Sequence, residues 1–215
     1  MDFKYLGEIF PALMNGTLMT LNIFVVTLVI SIPLGLLLAV ILRSKIKILE
    51  AVIQAFIWLM RGTPLLLQLI VVFYGLPLIG LVFERYTAAI FAFTLNYAAY
   101  FAEIFRGGFA SIDGGQVEAA KMLRFTKWQT LRYITLPQML KNVVPALGNE
   151  VINLVKDSSL VYVIGLGDLL RAGNIAMARD VTLLPLVGVG LIYLLLIGLL
   201  TFSLKRLEQK FSYYR

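Results

Sequence analysis

Residues 9–42 read IFPALMNGTLMTLNIFVVTLVISIPLGLLLAVIL, a run without a single Asp, Glu, Lys or Arg. A bilayer's hydrocarbon core is about 30 Å thick and takes about 20 helical residues to cross. In lipid every backbone N–H and C=O must be paired within the chain, so such a run is a helix. Residues 62–83, 86–102 and 181–204 are equally free of charge. None of these runs alternates apolar with polar residues, as the strands of a membrane barrel do. The expected fold class is an all-α membrane protein. Composition agrees: the 215 residues are 60% hydrophobic and 14% charged, with a mean hydropathy of +0.89. A soluble domain carries about 25% charged residues.

About five transmembrane helices are expected, near 17–42, 64–83, 86–105, 142–165 and 181–204, in a single domain covering 1–215. The first stops at Arg43, Lys45 and Lys47, and the last at Lys205 and Arg206. The run is read as a span and not a cleaved leader, because Asp2 and Glu8 precede it where a leader would be basic. Arg61-Gly62-Thr63-Pro64 interrupts the second apolar stretch. Residues 51–60 are therefore an elbow or an extension on the cytoplasmic side, and Pro64 suits a helix start. An odd number of spans puts the two ends on opposite faces. With the N-terminus outside, thirteen Lys and Arg fall on the inner side and four (Lys4, Arg85, Arg171 and Arg179) on the outer. Positive charge gathers in the cytoplasm, so the C-terminus is expected there.

The net charge of +7 is accounted for by that asymmetry, and no nucleic-acid partner is expected. The chain has neither Cys nor His. That removes thiolate ligands, disulfides and the commonest metal-binding and acid–base side chain. No metal site is expected. The segment 106–141 is long and polar, and it carries helical signals around Gln116–Leu123. Thr126 is placed as the N-cap of a second short helix. This segment forms a platform between the third and fourth spans, outside the membrane.

Within the platform, Glu118-Ala119-Ala120 followed by Ile134-Thr135-Leu136-Pro137 resembles the EAA motif of permease subunits of bacterial ATP-binding-cassette importers. Three more segments are similar to the polar amino-acid branch of that family. They are Arg61-Gly62-Thr63-Pro64-Leu65, Ala102-Glu103-Ile104-Phe105-Arg106-Gly107-Gly108, and Gly148-Asn149-Glu150 through Lys156-Asp157-Ser158-Ser159-Leu160. The resemblance spans about residues 15–210. It implies the transmembrane subunit of a polar or basic L-amino-acid importer in the bacterial cytoplasmic membrane. The partners it implies are a cytoplasmic ATP-binding subunit, a second permease copy (identical or a close paralogue) and an external solute-binding protein. ATP and Mg would sit on the partner subunit. This chain has no G-x-x-x-x-G-K-[ST] loop, so it holds no cofactor and is not an enzyme. Glu118, Ala119, Ala120, Arg124, Leu136 and Pro137 would form the coupling region. The pattern departs from the family at Arg124, where a Gly is usual; glycine permits a left-handed turn between two short helices, and arginine there argues against that turn.

Ionisable groups at membrane depth usually face a cavity or a partner. Asn96, Tyr100 and Glu103 share one face of the third helix, and Glu150, Asn153 and Asp157 one face of the fourth, with Lys156 beside them. Arg61 stands at the break before the second span. These eight residues are the candidate substrate-binding set. Three carboxylates against two cations leave one surplus negative charge, which leans toward a basic substrate; mutual salt bridging is the competing role. Ala98, Ala99, Ala102, Gly188, Gly190 and Gly198 are expected at close helix contacts. A stand-alone secondary transporter or channel is the competing class, but such proteins often contain two related halves and no internal repeat is visible.

Overall fold

The computed structural model describes residues 3–44 and 46–212. Expectations resting on Asp2, Lys45 and Arg215 lie outside the described residues. Every element is helical. Helix α1 (Phe3–Ile41) has 39 residues, about 58 Å at 1.5 Å per residue. It begins well before the expected Thr17. The Asn15-Gly16 pair reads as a turn, yet Gly16 serves packing: a Cβ there would lie 2.8 Å from the carbonyl oxygen of Asp168. Pro11 and Pro33 lie inside the helix.

Helix α2 (Lys47–Gly62) is amphipathic, with Ile53 and Ile57 packed on Ala99 and Ala102. It meets α3 (Leu65–Ile70) at a bend of 103°. A π turn over Val71–Gly75 and a 3-10 turn over Leu76–Ile79 continue α3. Gly80, at φ +87°, ends it, so this segment stops short of the expected residue 83.

Helix α4 (Arg85–Ala110) is the centre of the bundle: 67% of an 18-residue apolar stretch within it is buried, against 11% for the like stretch of α9 (Leu184–Ser212). Its alanines make this possible. Ala98, Ala99 and Ala102 are fully buried, and a Cβ added to Gly35 of α1 would come within 2.9 Å of the Ala98 oxygen and the Ala102 nitrogen. Of the three α9 glycines expected at close contacts, one follows the expectation. Gly188 faces Leu13, but Gly190 and Gly198 meet nothing within 4 Å in this chain.

The platform comprises α5 (Gly114–Met122), started by an Asp113 cap, and α6 (Lys127–Thr130). Thr126 caps α6 as expected, in a reciprocal box with Gln129. From Lys127 the chain stays helical to Ile164, through a π turn (Leu131–Thr135), α7 (Leu136–Asp157) and a 3-10 stretch (Ser158–Ile164). The fourth span is thus continuous with the platform, and no break falls at 142. Pro137 lies within this continuous helix, directly after the π turn, where the i→i−4 ladder is already offset: the Leu136 N–H donates to the Leu131 oxygen, five residues back. Helix α8 (Leu169–Asp180) follows at 52°, in the stretch between the expected fourth and fifth spans. Three helices are long and apolar enough to cross a membrane, or up to five if each bent pair is one span.

Candidate functional site

The α2–α3 break exists because Pro64 has no N–H and drives Thr63 into extended geometry, φ −119° and ψ 146°. Carbonyls freed by the break need donors, and side-chain amides supply them. Gln68 Nε2 donates to the Met60 oxygen at 2.9 Å, the Thr63 oxygen at 3.2 Å and Thr63 Oγ1 at 2.8 Å. Asn96 Nδ2, from α4, donates to the Met60 oxygen and to Gln68 Oε1, both at 3.0 Å. The break is therefore locked to α4 by a closed amide network.

Beside it lies a cavity of about 650 Å³. Arg61 and Thr63 line one wall; Asn96, Tyr97 and Tyr100 line the second; Glu150, Asn153, Lys156 and Asp157 of α7 line the third. Seven of the eight candidate binding residues are thereby brought together. Asp157 Oδ2 accepts a 2.7 Å hydrogen bond from the Tyr97 hydroxyl. Glu150 and Asn153 stand together on the same α7 wall. The Arg61 guanidinium stands 5.3 Å from the centre of the Tyr100 ring.

Glu103 is the exception. Its carboxylate is held by Arg106 through two bonds of 2.8 and 2.6 Å, and it reaches Arg61 only at 3.9 Å, outside the cavity lining. The surplus negative charge expected from sequence is therefore absent from the cavity, whose lining carries two carboxylates and two cations. Two residues outside the expected set, Tyr97 and Gln68, belong to this region. Tyr97 is buried and passes for a core aromatic, and only its register beside Asn96 hinted otherwise. Gln68 was the clearer signal, a lone amide in the uncharged run 62–83.

On the platform, Glu118 and Ala119 face outward, whereas Ala120 is 1% exposed and turned into this chain. Ala120 is thus turned away from the surface that Glu118 and Ala119 present. Leu136 packs against the core and Pro137 is exposed. Arg124 does adopt the left-handed conformation, φ +56°. Arg124 N–H donates to the Lys121 oxygen at 2.9 Å and Phe125 N–H to the Ala120 oxygen at 3.0 Å. This is the Schellman closure of a helix C-terminus. The glycine-like turn survives the arginine, contrary to expectation.

Residues 31–213 match the family of binding-protein-dependent transport system inner membrane components. The chain belongs to that family. This permease is 40% identical over 212 residues to the arginine transport system permease protein ArtQ of Bacillus subtilis (strain 168), covering 98% of this chain and 97% of the relative. It is 34% identical over 213 residues to the putative glutamine transport system permease protein GlnP of Rickettsia conorii, covering 97% and 98% respectively. A crystal structure of an amino acid ABC transporter with histidines contains a chain that superposes with a TM-score of 0.91 at 35% identity, covering 98% of this chain and 99% of that one. The fold is also shared with the inward-facing MetNI methionine ABC transporter, at a TM-score of 0.75 and 23% identity over 93% of the permease and 96% of that chain. The permease is thus a multi-pass inner-membrane subunit of an amino-acid ABC transporter, and ATP hydrolysis belongs to a separate nucleotide-binding subunit.

Proposed function

We propose that the permease moves a polar or basic L-amino acid inward through the cavity beside the α2–α3 break. One observation carries this reading: two cations and two carboxylates converge on a single cavity without forming salt bridges to one another among the described residues. A zwitterionic substrate needs both signs at once. Lys156 or Arg61 would hold its carboxylate, Asp157 or Glu150 its ammonium or a cationic side chain, and Asn153 and Tyr100 would read polar atoms. Asn96 is already committed to the break and serves as frame. The named relatives for arginine and glutamine support the same substrate class.

The reading includes a pair of permease subunits, an external solute-binding protein and a cytoplasmic ATPase docked on α5 and α6. Docking requires packed contact, and Glu118 with Ala119 presents a charged acceptor beside a small residue. In proteoliposomes containing permease, ATPase and binding protein, Glu118→Lys and Ala119→Arg are expected to leave the chain inserted. Each should cut stimulated ATP hydrolysis and labelled amino-acid uptake at least about tenfold, the loss of one charge-assisted contact. Normal coupling in both variants would remove the docking role from α5.

Orientation is the second part of the proposal, with the N-terminus outside and the C-terminus in the cytoplasm. The charge bias supports it, and so does a groove that Gln116, Lys141 and Phe211 line together, since it sets the end of α9 beside the platform. A reporter fused to the C-terminal end should be accessible only from the cytoplasm. Access from outside alone would reverse the assignment.

A further inference from the structure

Arg124 is one of two non-glycine residues at positive φ among the described residues. A left-handed conformation costs an L-residue with a Cβ about 1–2 kcal/mol, a cost that glycine avoids. Nothing local recovers it. The two turn hydrogen bonds are made by backbone N–H groups of Arg124 and Phe125, and glycine would make them equally well. The Arg124 side chain is exposed and has no hydrogen bond or ion pair among the described residues. A strained arginine therefore stands where the backbone asks only for glycine, with its guanidinium exposed to groups outside this chain.

The surroundings indicate what it meets. Lys121 and Lys127 flank Arg124 in sequence at the turn, and all three are exposed. Apolar side chains stand among them: Met122 is 86% exposed and Leu123 71%. Cations around bare apolar side chains fit a protein groove that takes Met122 and Leu123 and offers carboxylates at its rim. A guanidinium is the cation best shaped for such a carboxylate, because its fork makes two parallel bonds.

We propose that Arg124 is a partner-selecting residue: it pairs with a carboxylate on the ATPase subunit and confines the permease to ATPases that present one. The inference rests on the reading of α5 and α6 as the ATPase-docking surface. An anionic lipid headgroup would offer the same charge, and the experiment separates the two.

Binding of the purified ATPase to full-length permease in nanodiscs is measured across a salt series, with neutral and with anionic lipid. Arg124→Gly should bind about tenfold or more weakly and with a shallower salt dependence, the effect of removing one close interfacial charge pair. Arg124→Glu should bind more weakly still. Arg124→Lys, which retains both charge and backbone strain, should stay nearer to wild type. Thermal unfolding of Arg124→Gly should not fall, so weaker binding cannot be laid to a damaged turn. If Arg124→Gly binds as well as wild type, the proposal is overturned. It is equally overturned if the variants differ only in anionic nanodiscs, which assigns the arginine to lipid. Glu118→Lys serves as reference: if it abolishes ATPase binding while the Arg124 variants do not, docking on α5 stands and the selecting role alone is lost.

Discussion

Asp157→Asn is expected to abolish most uptake of a cationic amino acid while the permease still assembles and its complex still hydrolyses ATP. The asparagine oxygen can accept the 2.7 Å bond from the Tyr97 hydroxyl, so the α4–α7 contact is retained. What disappears is the negative charge facing the cavity. Removing one member of a desolvated charge pair costs about 3–5 kcal/mol, and 1.4 kcal/mol is a factor of ten. Uptake of a cationic substrate should therefore drop by roughly two orders of magnitude or more. Glu103→Gln is the contrasting variant. Its carboxylate is held by Arg106 in a partly exposed pair, of a kind worth about 0–1 kcal/mol, so uptake should change by no more than a few-fold. Labelled uptake into proteoliposomes, with ATP hydrolysis measured in parallel, reads both. Normal transport by Asp157→Asn would remove that residue from the substrate path. A failure to assemble would make it a structural partner of Tyr97.

The second large effect is structural. Gly35→Val should collapse the α1–α4 contact. The added Cβ would stand 2.9 Å from the Ala98 oxygen and the Ala102 nitrogen. Those are backbone atoms of the central helix, and no rotamer change moves them. Overpacking typically costs about 1–3 kcal/mol when side chains can shift; here whole helices must separate, so the upper end or beyond is expected. Gly7→Ala is the control, since nothing lies within 4 Å of that position. Thermal unfolding in detergent should show a large drop for Gly35→Val and none for Gly7→Ala. Equal melting of the two would mean that α1 and α4 are not held at this distance.

The long spans were legible because an uncharged run has few alternatives in lipid. Their ends were less so, and for identifiable reasons. Asn15-Gly16 has the composition of a turn, and only the approach of the Asp168 backbone reveals Gly16 as a packing residue. Lys127, Arg132 and Lys141 suggested that the fourth helix begins after them, yet charge sets where a helix meets water and not where it starts. Helix α8 carried a readable cap in Asp168, whose carboxylate accepts from the Leu170 and Arg171 N–H groups. Its short polar sequence concealed it among outer loops. In the site, helical spacing correctly grouped Asn96 with Tyr100, and Glu150 with Asn153 and Asp157. It could not foresee that Glu103 would turn to Arg106 three residues on, nor that the hydroxyl of Tyr97 would reach Asp157, sixty residues away.

Directly after Asp157 the chain winds as a 3-10 helix for seven residues, Ser158–Ile164, and Leu160 within it borders the cavity. A 3-10 helix advances about 2.0 Å per residue and an α-helix 1.5 Å. Rewinding those seven residues from one form to the other would shorten the segment by about 3.5 Å and swing its side chains around the axis, with the helix intact throughout. Over these seven residues the rod that carries Lys156 and Asp157 is thus drawn out by about 3.5 Å relative to α winding, like a screw of steeper pitch.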